Sequence, residues 1–286
     1  MITYNNLYLE LRKKLKEAGL PGAALEAREL LCLGSGKTRE ELYRDAPLYV
    51  SPETEKAVRA LARRRLDGEP AAYLLGEWDF CGLTLDVSPA VLIPRVDTEV
   101  LAGEAIAFLE AQGPCRALDL CAGSGCVGLA LADQVPACRV VLGELSTEAL
   151  AVCGENVRRC GLENRAEVRR LDALRPPPED LGRFSCIVCN PPYIPDGDIP
   201  DLDGSVRDFE PHMALRGGAD GLDFYRAIVR DWRRVLLPGG RLYFEVGIGQ
   251  AEAVRALLDA GGFTGTAVVP DGQGIDRVVS GAVPGT

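Results

Sequence analysis

From residue 116 to residue 281 the chain alternates short apolar runs with stretches of helical period, and that alternation limits the fold more than any other feature. The runs are "RALDL" (116–120), "CRVVLG" (138–143), "AEVRRL" (166–171), "FSCIVC" (184–189), "RLYFEV" (241–246), "TGTAVV" (264–269) and "DRVVSG" (276–281). Strands with helices between them bury both faces of a mostly parallel sheet, so a doubly wound α/β sheet of seven strands is expected. Only "PDGQGI" separates the last two runs. That is too short for a crossover, so these two strands should pair antiparallel.

The first 75 residues read as helices. Leu7, Leu11 and Leu15 mark one face that ends at Gly19 and Pro21; Thr38 with Glu41 makes a capping box; Ser51 followed by Pro52 opens a further helix. Residues 79–94, "DFCGLTLDVSPAVLIP", have the pattern of a short hairpin. The expected organisation is a helical domain at 1–75, a β-hairpin linker at 76–96 and an α/β domain carrying the chemistry at 97–286.

Charge narrows the partners. The formal net charge is −10, but residues 1–75 carry +2, which leaves −12 on the remainder. General attraction to a polyphosphate rests on clustered Lys and Arg, so direct nucleic-acid binding is not expected. No apolar run approaches the roughly 18 residues of a membrane helix, and "MITYNNLYLE" lacks the order of a targeting segment. Ten cysteines without such a segment suit a reducing compartment, so a cytoplasmic monomer with no membrane partner is expected. Cys186 and Cys189 form C-x-x-C inside an apolar run, with no second pair at zinc spacing, and no metal is expected.

The first strand runs into a glycine turn and a helix start, "ALDLCAGSGCVGLALA" from Ala117. Gly123 and Gly125 permit a tight turn whose N–H groups a ligand can approach, beside the positive end of a helix. The match to G-x-G-x-x-G over Gly123–Gly128 is weak by itself. Three carboxylates at successive strand ends add to it: Asp119, Glu144 and Asp172. Asp119 would face a pyrophosphate badly but could accept from an amino group, Glu144 could chelate ribose hydroxyls, and Asp172 could meet an adenine amino group. The trio suits a cationic adenosyl ligand such as S-adenosyl-L-methionine better than a diphosphate. Each one alone is equally consistent with capping a helix N-terminus.

At the end of the fourth run stands "NPPYIP" (190–195). Pro191 and Pro192 stiffen the corner and push Asn190 to an extended conformation. Neither proline has an N–H, so the carbonyls of this stretch and the Asn190 side-chain oxygen form acceptors suited to a planar –NH2 group, with Tyr193 against its π-face. No general base is evident; the lone histidine, His212, is the tempting candidate, and a catalytic role for it is not expected.

Taken with "VLIPRVDTE" (91–99), "DLCAGSG" (119–125), "GELS" (143–146), "DFEPHMALRGGADGLDFYR" (208–226), "LPGGRLYFEVGIGQ" (237–250) and "DGQGIDRVVSG" (271–281), this corner resembles the release factor glutamine methyltransferases over nearly the whole chain. The resemblance implies a seven-stranded Rossmann-like S-adenosylmethionine-dependent methyltransferase sheet with a small all-helical N-terminal domain and a connecting β-hairpin. It implies methylation of the side-chain amide of the glutamine in the Gly-Gly-Gln motif of peptide chain release factors, which the N-terminal domain and hairpin would meet. The family's cofactor turn falls on Cys121, Ala122, Gly123, Ser124 and Gly125, its ribose carboxylate on Glu144, its adenine-side contact on Asp172 and Ala173, and its catalytic, substrate-binding corner on Asn190, Pro191, Pro192 and Tyr193. Glu144 stands where the family more often has Asp, and Ala173 where it has a larger neighbour. Three rivals remain: an adenine amino-methyltransferase acting on flipped bases, a nicotinamide dehydrogenase, and a binding module without chemistry.

Overall fold

Helix signals in the first 75 residues act where they stand. The helices are α1 (Tyr4–Glu17), α2 (Ala23–Ser35), α3 (Arg39–Arg44), α4 (Pro52–Leu66) and α5 (Ala71–Leu75). Thr38 and Glu41 exchange both bonds of a capping box, and Ser51 caps α4 with Pro52 at its first position. Leu7, Leu11 and Leu15 pack with Ala27, Leu30, Leu31 and Val58 in one apolar cluster. The computed structural model, which describes residues 1–285, separates a unit of Met1–Glu77 and Gly204–Phe209 from one of Trp78–Asp203 and the residues from Glu210 onward.

From the unit boundary onward, β1 (Glu77–Phe80) and β2 (Leu83–Asp86) form a two-stranded hairpin. There follow α6 (Thr98–Glu110), β3 (Cys115–Leu120), α7 (Cys126–Gln134), β4 (Cys138–Glu144), α8 (Thr147–Arg159), β5 (Ala166–Arg170) and β6 (Phe184–Cys189). The short α9 (Gly204–Arg207) belongs to the first unit; α10 (Asp223–Asp231), β7 (Leu236–Glu245), α11 (Ala251–Ala260), β8 (Thr264–Pro270) and β9 (Asp276–Ala282) complete the chain. The seven-stranded sheet has the order β5-β4-β3-β6-β7-β9-β8. Its first five strands are parallel, and β9 pairs antiparallel with both β7 and β8, as the short final connection requires.

Strand residues divide by parity between two cores. Ala117, Val140, Leu142, Cys186 and Val188 pack with α6 and α7 on one face. Leu118, Leu120, Val141, Ile187, Leu242 and Phe244 pack with α10 and α11 on the other. Burial on both faces is why these runs are apolar throughout rather than alternating.

The register sets the site. Leu120 lies beside Gly143 and Cys189, and Cys189 beside Phe244, so Cys121, Glu144, Asn190 and Glu245 stand along one carboxyl edge of the sheet. Ligands bind at that edge in open α/β sheets. Among the described residues no helix is long and apolar enough to cross a membrane.

Candidate active site

A cavity of about 580 Å3 opens at this edge, within the second unit. Its wall includes Asp119, Cys121, Ala122, Gly123, Ser124, Glu144, Asp172, Ala173, Asn190 and Pro192, so most of the residues singled out in the sequence meet around one space. Gly125, Pro191 and Tyr193 are not on that wall. His212 and Met213 are, from a turn that is exposed to solvent.

Each of the three carboxylates already accepts from backbone N–H groups. Asp119 Oδ2 accepts from the Gly128 N–H at 2.8 Å, in the first turn of α7. That contact needs Gly128: a Cβ there would lie 2.2 Å from Leu142 Cδ2 and 2.9 Å from Asp119 Cβ. Glu144 Oε2 accepts from Gly123 N–H at 2.9 Å, and Oε1 from Leu145 and Ser146 N–H at 2.7 and 2.9 Å. Asp172 lies two residues past the end of β5, where Oδ1 accepts from Leu174 N–H at 2.9 Å in a local turn. The capping reading thus holds for Asp119, which bonds the first turn of α7, but not for Asp172, which bonds a local turn; Asp119 Oδ1, Glu144 Oε2 and Asp172 Oδ2 keep lone pairs that a ligand can use.

Burial pushes the Asp119 carboxyl up to about 7, and the neighbouring Glu144 charge adds to the shift, while the Gly128 N–H opposes it. A cation in the cavity would draw it back toward the ionised form. Ser124 Oγ is buried without a hydrogen-bond partner. An orphaned hydroxyl and three carboxylates around one cavity fit a polar, cationic adenosyl ligand.

The turn is also tied from behind. Asn156, fully buried on α8, accepts from Asp86 N–H at 2.6 Å and donates to Asp86 O at 3.0 Å and Ser124 O at 2.9 Å, joining β2 to the glycine turn. Asn156→Ala should cost about 1–3 kcal/mol, because it strands buried backbone groups, and should weaken donor binding. Urea unfolding and donor calorimetry measure both, and an unchanged midpoint would refute this tie.

The "NPPYIP" corner is clamped through its backbone. Ile194 N–H donates to Leu215 O at 3.0 Å, and Gly217 N–H to Ile194 O at 2.8 Å. Gln250 Nε2 donates to Tyr193 O at 2.9 Å while Gln250 Oε1 accepts from Gly247 N–H at 3.0 Å. A Cβ on Gly217 would stand 2.8 Å from Tyr193 backbone atoms. The glycines of "LRGGADGL" thus let one backbone lie directly on the other.

Residues 6–76 match the family described as PrmC N-terminal domain, and residues 80–201 match the methyltransferase small domain. The release factor glutamine methyltransferase of Geobacter sulfurreducens is 43% identical over 272 residues, spanning 95% of this chain and 94% of the relative. That of Bordetella pertussis is 41% identical over 276 residues, spanning 95% and 98%. This chain belongs to the release factor glutamine methyltransferase family. The crystallised catalytic domain of hMettl16 shares the fold, with a TM-score of 0.54 at 17% identity over 81% of each chain.

The methyl donor of release factor glutamine methyltransferases is S-adenosylmethionine. Beside Ala173, which is buried and whose carbonyl accepts from Trp232 Nε1 at 3.1 Å, Leu174 and Leu145 supply apolar wall. Arg95, on the wall, pairs with the buried Glu210, whose Oε2 also accepts from Ile93 N–H at 3.3 Å.

Three groups at or near the corner escaped the sequence reading: Thr98, Glu245 and the Arg95–Glu210 pair. Glu245 had a signal. It ends β7 as Glu144 ends β4, and the strand-end rule applied to the other acidic residues would have found it. Thr98 had none, since it reads as an ordinary residue of a helix start. Tyr193 turns its hydroxyl to Glu245 Oε1 at 3.5 Å rather than lining the cavity, and burial raises its pKa.

Proposed function

We propose that this chain methylates the side-chain amide nitrogen of the glutamine in the Gly-Gly-Gln motif of peptide chain release factors, with S-adenosylmethionine as donor. The observation that carries this reading is an acceptor-rich, backbone-clamped corner opening on the same cavity as the glycine turn and the strand-end carboxylates. The glycine turn of Cys121–Gly125 and the carboxylates of Asp119, Glu144 and Asp172 would hold the donor, with Leu145 and Leu174 as apolar walls in place of a large residue at Ala173. When bound, it supplies a methyl carbon activated by a sulfonium.

The chain's own task is to present a poor nucleophile. An amide nitrogen has its lone pair delocalised, as the rotation barrier of about 18–20 kcal/mol shows. Two hydrogen bonds of about 1 kcal/mol each cannot undo that. They can orient the nitrogen, and orientation lowers barriers by up to about 7–11 kcal/mol. Asn190 Oδ1 and a carbonyl of the Pro191–Pro192 stretch accept from the two N–H groups and stabilise the positive charge that grows on nitrogen. Tyr193 and the two prolines hold that geometry.

In this reading the helical domain at 1–75 and the hairpin at 76–96 meet the body of the release factor, and 97–286 carries the chemistry. The partner is a protein and not nucleic acid, in keeping with the −12 charge beyond residue 75, and the enzyme acts as a cytoplasmic monomer. Radiolabelled donor offered to a release factor, to the same factor with its tip glutamine replaced, and to duplex DNA should label only the first. Label in DNA, or equally in the Gln-replaced factor, would overturn the assignment.

A further inference from the structure

At the corner two buried side chains come from distant segments: Thr98, on the cavity wall against Asn190, and Glu245, against the Tyr193 hydroxyl. Thr98 opens α6 and Glu245 ends β7, the strand next to the one that leads into Asn190. Each is about 2% exposed. Asn190 Nδ2 lies 3.4 Å from Thr98 Oγ1. Glu245 Oε1 accepts from the Tyr193 hydroxyl, and Oε2 is buried without a partner. The Thr98 hydroxyl faces the same carboxyl and favours its ionised form.

We infer that Glu245 and Thr98 are positioning residues that decide which end of the Asn190 side chain faces the substrate amide. An ionised carboxylate accepts only, and a threonine hydroxyl has one proton. With that proton directed to Glu245, Thr98 offers Asn190 lone pairs alone, so Nδ2 turns to Thr98 and Oδ1 is left for the cavity that Asn190 lines. The reversed side chain would set Oδ1 against those lone pairs and present –NH2 to the –NH2 of a glutamine, donor against donor. An asparagine has no preference of its own between the two orientations; the carboxylate two groups away supplies it.

Protonated Glu245 reverses the order. It can donate to Thr98, whose own proton is then free for Oδ1 of a reversed Asn190. The groups facing Glu245 are the Tyr193 hydroxyl, Thr98, Asp97 and Arg277, with Asp271 held on Arg277 at 3.1 Å; the Tyr225 hydroxyl donates to the Glu245 backbone carbonyl at 2.9 Å, and the Cys126 thiol senses its charge. Burial pushes the Glu245 carboxyl up to about 7; Thr98, Arg277 and Tyr193 lower it, and Asp97 raises it. Competent orientation is therefore present above about pH 7 and lost as pH falls through that value.

The inference rests on the glutamine-methylating reading, and the test separates the two. Turnover of a release factor is measured at saturating donor from about pH 5.5 to 8.5 for wild type, Thr98→Val, Thr98→Ser and Glu245→Gln, with the donor Kd of each from calorimetry. Wild type that leaves the release factor unlabelled removes the functional reading itself. Given an active wild type, Thr98→Val should lose at least about tenfold in kcat with its donor Kd within about twofold, and Thr98→Ser should restore most of the loss. Glu245→Gln, which donates as the protonated acid would, should be slow and without the acid limb. Thr98→Val at wild-type kcat, Thr98→Ser as slow as Thr98→Val, or the wild-type acid limb persisting in Glu245→Gln would overturn the inference.

Discussion

Asn190→Ala is expected to lower turnover by about 10²- to 10³-fold, the cost of removing one preorganised group from a reacting centre. The substitution deletes the side-chain acceptor and leaves the stiff backbone of Pro191 and Pro192 in place. One hydrogen bond contributes only about 1 kcal/mol net to binding, so the donor Kd and the KM for the release factor should each move by less than about tenfold. The damage falls on kcat, because alignment matters most where the nitrogen must meet the methyl carbon. Single-turnover kinetics with saturating donor isolate that step. A variant that turns over at a near-normal rate would show that the carboxamide is not an acceptor for the substrate.

Gly221→Ala should be the most damaging change outside the cavity wall. Gly221 has φ +75°, which disfavours any L side chain, and a Cβ there would stand 2.2 Å from the Tyr193 carbonyl oxygen. The opposing atom is backbone, and Gln250 Nε2 already holds it at 2.9 Å, so relief requires the corner itself to move. Left-handed strain of about 1–2 kcal/mol and overpacking of about 1–3 kcal/mol add to an expected loss of about 2–5 kcal/mol. Urea unfolding at constant slope measures it. Donor binding should survive in the folded fraction while methyl transfer does not, because the glycine turn lies on a different loop. A midpoint equal to wild type would mean that the two backbones are not in contact in solution.

The strand runs, the glycine turn and the proline corner were legible because each is a local pattern. An apolar run bounded by turn residues states strand and limits together, and all seven runs appear as strands within a few residues of their expected ends. The largest departure is β7, which begins at Leu236 instead of residue 241: Leu236 pairs with Phe184 before a register shift that carries "PGG" past the ladder. Asp172 shows the opposite limit. It was expected at a strand end and stands in a turn two residues beyond, because its side chain bonds locally to Leu174 N–H and competes with the ladder.

Sequence by itself determined the α/β class, the parallel sheet with an antiparallel end, the glycine turn, and the place of Asp119, Glu144 and Asn190 at the carboxyl edge of the sheet. These follow from short-range periodicity and from the φ limits of glycine and proline, which act within a few residues. Tertiary structure alone decided the strand order and, through it, which remote residues meet. Asn190 finds Thr98 across 92 positions, Asp86 finds Asn156 across 70, and Tyr193 finds Glu245 across 52. No local pattern encodes such pairs, because they exist only once the sheet has assembled and its helices and hairpin have packed against it.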